Sequence, residues 1–128
     1  AAERITADEL AELERNLDVT ATLVARDESP IAATIEFHSL VAEATHNQAL
    51  LLARAPVSLL MRSGYAAIAP VLPQSGSRLL EAHRHVFQAL KQGDAESAVV
   101  WTRKHLTDHK RGFEFAGLNM DSPIPDAV

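Results

Sequence analysis

The chain has 128 residues, room for a single domain that buries about two thirds of its unfolded surface. Apolar residues make up 47% and charged residues 23%, an ordinary balance for a water-soluble globular protein. A net charge of −5 argues against a nucleic-acid surface of clustered Lys and Arg, and the lack of cysteine excludes disulfides and thiolate metal ligands.

The opening Ala1-Ala2-Glu3-Arg4 lacks the basic and apolar regions of a signal peptide and reads as the tail of a helix already in progress. Thr6-Ala7-Asp8-Glu9 has the capping-box form, with Thr6 as cap and Glu9 reaching back. Leu10, Leu13, Leu17, Ala21 and Val24 then mark one face at helical spacing. Asp27-Glu28-Ser29-Pro30 breaks the pattern, and Ser29 is expected to cap a second helix with Pro30 in its first turn. That helix is expected to run to about Thr45, with Ile31, Ile35, His38, Val41 or Ala42, and Thr45 inward.

Asn47 caps a third helix beginning near Gln48, which Pro56 is expected to kink or interrupt. Residues 63–77, rich in Gly, Pro and Ser, read as the one long irregular connection, with room for a short helical turn near Ile68, Val71 and Leu72. Leu79, His83, Val86, Phe87 and Leu90 define the inward stripe of the next helix, which Gly93 ends. Asp94 caps the last, whose stripe is Ala95, Ala98, Val99, Thr102, His105 and Leu106. No strand alternation appears and no apolar run spans a bilayer, so the expectation is an all-α bundle of about six helices in the cytoplasm. Residues 1–116 would form the bundle and 117–128 a loose tail.

Three apolar stripes contain a histidine: His38, His83 and His105. One such residue is ordinarily a core imidazole satisfied by a backbone carbonyl. Three on separate helices point to one shared interior site, because a common guest satisfies rings that would each need a partner. His46 lies at a helix end and His85 points away from His83, so both read as surface residues. His109 and Asp108, four and three residues after His105, are candidates for supporting contacts. Three imidazoles plus water suit zinc best among divalent metals, with nickel and manganese as alternatives.

The stretch Phe37-His38-Ser39-Leu40 through Asn47 resembles the Phe-His-x-x-Leu…Asn signature of the FCD domain, the effector-binding and dimerisation domain of FadR-like GntR transcription regulators. His83, Ala89-Leu90-Lys91-Gln92-Gly93-Asp94, Ala98 and His105 resemble that family's His…Ala-[Ile/Leu]-x-x-Gly-Asp-x-x-x-Ala…His signature in order and spacing. The resemblance implies an antiparallel helical bundle that dimerises, carries a small carboxylate metabolite inside and holds a divalent metal through His38, His83 and His105. The family's fourth ligand falls on Thr34, whose hydroxyl is a poor ligand and better suited to holding a metal-bound water. Lys110, Arg62 and Arg78 are candidates for the effector's carboxylate. The family also implies an upstream winged-helix domain that binds operator DNA; it is absent from this chain, and part of the first bundle helix is expected to be missing.

The expectation is therefore a non-enzymatic sensing domain. A metal-dependent hydrolase is the rival from another class, although no carboxylate is well placed as a general base. A metal-free helical interaction module with structural histidines is the third.

Overall fold

A computed structural model describes residues 1–118 and 121. Of the expected tail, the segments 119–120 and 122–128 lie outside the described residues. Five helices follow in order: α1 (Ala7–Ala25), α2 (Ile31–Glu43), α3 (Gln48–Ile68), α4 (Ser75–Lys91) and α5 (Ala95–Phe115). There is no strand among the described residues, so the fold is an all-α helical bundle. The principal contacts close a ring in the order α1, α2, α3, α5, α4. At its centre Leu13 and Leu17 of α1 meet Phe37 of α2 and Leu80, Val86, Phe87 and Leu90 of α4.

Local chemistry sets most boundaries. The Thr6 hydroxyl accepts from the Glu9 amide at 3.2 Å, and the Glu9 carboxylate accepts from the Thr6 amide at 2.8 Å, completing the capping box. The Asn47 side chain accepts from the amides of Ala49 and Leu50. Gly93, at φ +67°, closes α4 in a Schellman turn, in which the Asp94 amide donates to Ala89 O and the Gly93 amide to Leu90 O. The Asp94 carboxylate then accepts from the Ser97 amide and starts α5.

Several expectations need correction. Pro30, not Ser29, occupies the N-cap of α2, which has no side-chain cap; the Pro30 carbonyl takes the Thr34 amide, and Ser29 is one residue too far out to replace it. The helix ends at Glu43 rather than Thr45, just before His46 turns the chain at φ +55°. α3 runs unbroken through Pro56. Pro56 and Leu52 are both exposed, so water reaches the carbonyl that the missing proline amide leaves without a donor.

The irregular connection shrinks from 63–77 to 69–74, which makes five helices rather than about six. Gly64 lies inside α3, where a Cβ would come within 2.5 Å of the Phe113 ring. The glycine permits close helix packing there and does not form a turn.

The buried faces are also narrower than the periodicity suggests. In α2 the fully buried residues are Ala33, Thr34 and Phe37, with Ile31, Ile35, His38, Val41 and Ala42 only half-buried. Phe37, the largest side chain of the helix, rotates that face toward the core. Asn16 and Thr20 are buried in α1, where the Asn16 amide donates to Ala33 O at 2.9 Å and ties α1 to α2. Only His105 is buried in α5. Val99 and Leu106 stay exposed, because their stripe faces an open groove of about 650 Å3 rather than another helix.

Candidate metal centre

Three helices each deliver one imidazole to the interior: α2 brings His38, α4 brings His83 and α5 brings His105. The ring centroids are 5.0 Å apart for His38 and His83, 4.9 Å for His83 and His105, and 5.6 Å for His38 and His105. One nitrogen of each lies within 4.8 Å of the corresponding nitrogens of the other two. Zinc–imidazole bonds are about 2.0–2.1 Å long, so small inward ring rotations would be needed to share one ion.

His83 is completely buried, and neither of its ring nitrogens has a hydrogen-bond partner among the described residues. Leaving a buried polar atom unpaired costs roughly 1–3 kcal/mol. The rings of His38 and His105 make no hydrogen bond among the described residues either. Rings with no protein partner, converging from three helices, have the donor set that a divalent ion requires, and the residues fit the group.

Burial also sets the protonation state. It is the main cause that lowers His38 to about 4, helped by the neighbouring His105 and His109. Burial lowers His105 to about 4 as well, reinforced by His109 and opposed by Asp108. His83 is pushed well below the usual imidazole range, again chiefly by burial. All three rings are thus neutral near pH 7, the form whose lone pair binds metal.

The other candidates divide into two groups. Arg78, Asp108 and His109 line the same cavity as His105. Arg78 and Asp108 form an exposed ion pair at 2.9 Å, so that carboxylate is already engaged. His109 is half-buried against Phe113, with its pKa lowered by burial. Lys110 instead lines the open groove beside Val99 and sits 3.9 Å from Glu114 on the surface, and Arg62 is exposed on α3.

Thr34 is buried, and its hydroxyl donates to Pro30 O at 2.9 Å, leaving only its lone pairs available. His46 is exposed beside Glu9 at 3.1 Å, while His85 is half-buried and stacks on Trp101 at 3.8 Å.

Tyr65 and Arg111 of the cavity wall are polar groups that the sequence did not single out. Tyr65 shares helical spacing with Ile68 and Leu72, a pattern hidden by placing all three in a loop. Arg111 follows Asp108 by three residues and falls on its face of α5.

In this helical bundle three imidazoles with no hydrogen-bond partner among the described residues could hold one metal ion beside a cavity. A family model described as the FCD domain matches residues 1–108, and the chain belongs to this family of regulatory, effector-binding domains. No match was found among curated proteins or among solved structures.

Proposed function

We propose that the chain is the ligand-sensing and dimerisation domain of a GntR-type bacterial transcription regulator of the FadR subgroup. It acts in the cytoplasm, takes a small carboxylate metabolite and reaches operator DNA through a winged-helix domain outside this sequence. Residues 1–116 form the sensing unit. His38, His83 and His105 hold a divalent metal, zinc before nickel or manganese. The observation that carries this reading is His83, an interior imidazole with both nitrogens unpartnered and two further imidazoles beside it.

When bound, the metal supplies positive charge and open coordination positions for a carboxylate. The chain's own residues do the remaining work. Phe37 holds the plane of His83, and Thr34 offers an acceptor one turn before His38. Arg78 places a guanidinium at the cavity rim, held there by its ion pair with Asp108. An effector changes DNA affinity only if it prefers one arrangement of the dimer over another. α5 carries His105 and packs on both α3 and α4, which makes a shift of that helix the simplest link between site and dimer.

Elemental analysis of the purified chain tests the centre, with His83→Ala and His38→Ala as controls and circular dichroism confirming that each variant folds. About one equivalent of metal in the wild type and less than a tenth in either variant is the expected result. Equal metal in all three overturns the assignment. Light scattering tests dimerisation separately, and a monomer at micromolar concentration removes that part of the proposal.

A further inference from the structure

His109 follows His105 by four residues on α5, so both imidazoles project from one face of that helix. Paired histidines at this spacing are a common way for a helix to grip one metal ion. Both residues line the cavity of about 460 Å3 between α3, α4 and α5. His109 lies outside the set of nitrogens within 4.8 Å of one another, which His38, His83 and His105 complete. It is nonetheless near enough for its positive charge to lower the pKa of both His38 and His105.

The contacts of His109 leave it available. Its half-buried ring meets Phe113 edge-on, with centroids 5.2 Å apart and planes 67° from parallel. Its ring nitrogens make no hydrogen bond among the described residues. Nearby oxygen groups are worse placed to complete the centre. The Asp108 carboxylate accepts from Arg78 at 2.9 Å, and the Thr34 hydroxyl gives its proton to Pro30 O. Side chains of a helix lean toward its N-terminus, the direction in which His105 lies from His109. A side-chain rotation away from Phe113 is the movement required.

Resting on the metal reading above, we infer that His109 is the fourth imidazole of the centre, turning from Phe113 to join His38, His83 and His105 when the ion binds. Four neutral nitrogens satisfy the tetrahedral preference of zinc without any carboxylate. Such a donor set suits zinc, nickel or copper, whereas manganese favours carboxylate and water. A guest carboxylate must then expand the coordination from four to five, because no corner is left empty. With two of the four ligands on α5, the ion fastens that helix to α2 and α4.

Removing a residue that only supports a metal ligand already weakens binding about 10–100-fold, so a modest loss of affinity does not separate the two roles. Ring-nitrogen NMR of the full chain at pH 7.5, with and without one equivalent of zinc, does separate them. The His109 signals should shift together with those of His38, His83 and His105, while His46 and His85 stay in place as internal references. In His109→Phe, which keeps an aromatic ring beside Phe113, zinc should bind at least a hundredfold more weakly, with circular dichroism confirming the fold. Zinc-induced shifts confined to His38, His83 and His105 overturn the fourth ligand and leave the three-imidazole centre standing. Wild-type zinc affinity in the folded variant does the same. No shift in any of the four rings overturns the centre itself, and this inference with it.

Discussion

The rings of Phe37 and His83 stack with centroids 4.0 Å apart and planes 7° from parallel. The two residues come from α2 and α4, and the His83 ring has no hydrogen bond among the described residues to orient it. The stack is therefore what holds the imidazole in one plane, a contact worth about 0.5–1.5 kcal/mol beyond simple burial. Phe37→Leu keeps an apolar side chain in place but removes the flat partner. The expected outcome is a stability loss of roughly 1–3 kcal/mol together with at least tenfold weaker zinc binding in competition with a chromophoric chelator. Unchanged zinc affinity would show that Phe37 packs the core without positioning His83.

Acid should destabilise the metal-free domain over a defined window. His38 and His105 titrate near 4 in the folded chain and near 6.5 when unfolded, and burial lowers His83 in the same direction. Between those values the unfolded chain binds more protons, so stability rises with pH and falls as pH drops from about 6.5 to 4. At 1.36 kcal/mol per pKa unit, each of the two rings contributes on the order of 3 kcal/mol at full effect, less where the rings are coupled.

Glu9 acts only at lower pH. Its backbone hydrogen bond to Thr6 leads the causes that lower its pKa below 4.5, so its contribution is lost as pH falls below that value. Urea unfolding in the presence of chelator at pH 7.5, 6.0 and 5.0 isolates the imidazoles; identical midpoints at all three would contradict their burial as neutral groups.

Thr34 lies one helical turn before His38 and is completely enclosed. Thr34→Asp places a carboxylate where the hydroxyl now donates to Pro30 O. Without metal, the buried charge should lower the melting temperature by several degrees. With zinc, the added ligand should raise affinity at least tenfold and reverse that loss. Thermal melts with chelator and with zinc check both signs, and the idea fails if zinc stabilises the variant no more than the wild type.

Gly64 and Phe113 couple α3 to α5. A Cβ at position 64 would stand 2.5 Å from Phe113 Cζ, well inside contact distance. Alanine gains up to about 1 kcal/mol over glycine in a helix interior, but here the clash opposes it. Gly64→Ala should therefore be neutral or destabilising in the wild type and stabilising in a Phe113→Ala background. A double-mutant cycle by denaturant unfolding should return a coupling of at least about 1 kcal/mol; additivity within error would mean that Phe113 moves aside freely.

Helix starts and stops were largely readable where side chains act on nearby backbone. Thr6 with Glu9, Asn47, and Gly93 with Asp94 all perform the roles their spacing announces. Pro56 and Gly64 misled because each has two physical uses. Proline breaks a helix when its neighbours are enclosed but is tolerated on a wet face, and glycine serves close packing as readily as turns. The α5 stripe misled differently: Val99 and Leu106 recur at helical spacing, yet periodicity cannot say whether anything packs against them.

Residue order alone established an all-helical chain with an imidazole in each of three apolar stripes, because caps and periodicity act within a few residues. That His38, His83 and His105 meet within one interior, that Arg78 turns to Asp108, and that Tyr65 and Arg111 join the same cavity required the closed ring of helices. Those relationships depend on crossing angles and side-chain volumes summed over several elements, and no local stretch of chain encodes them.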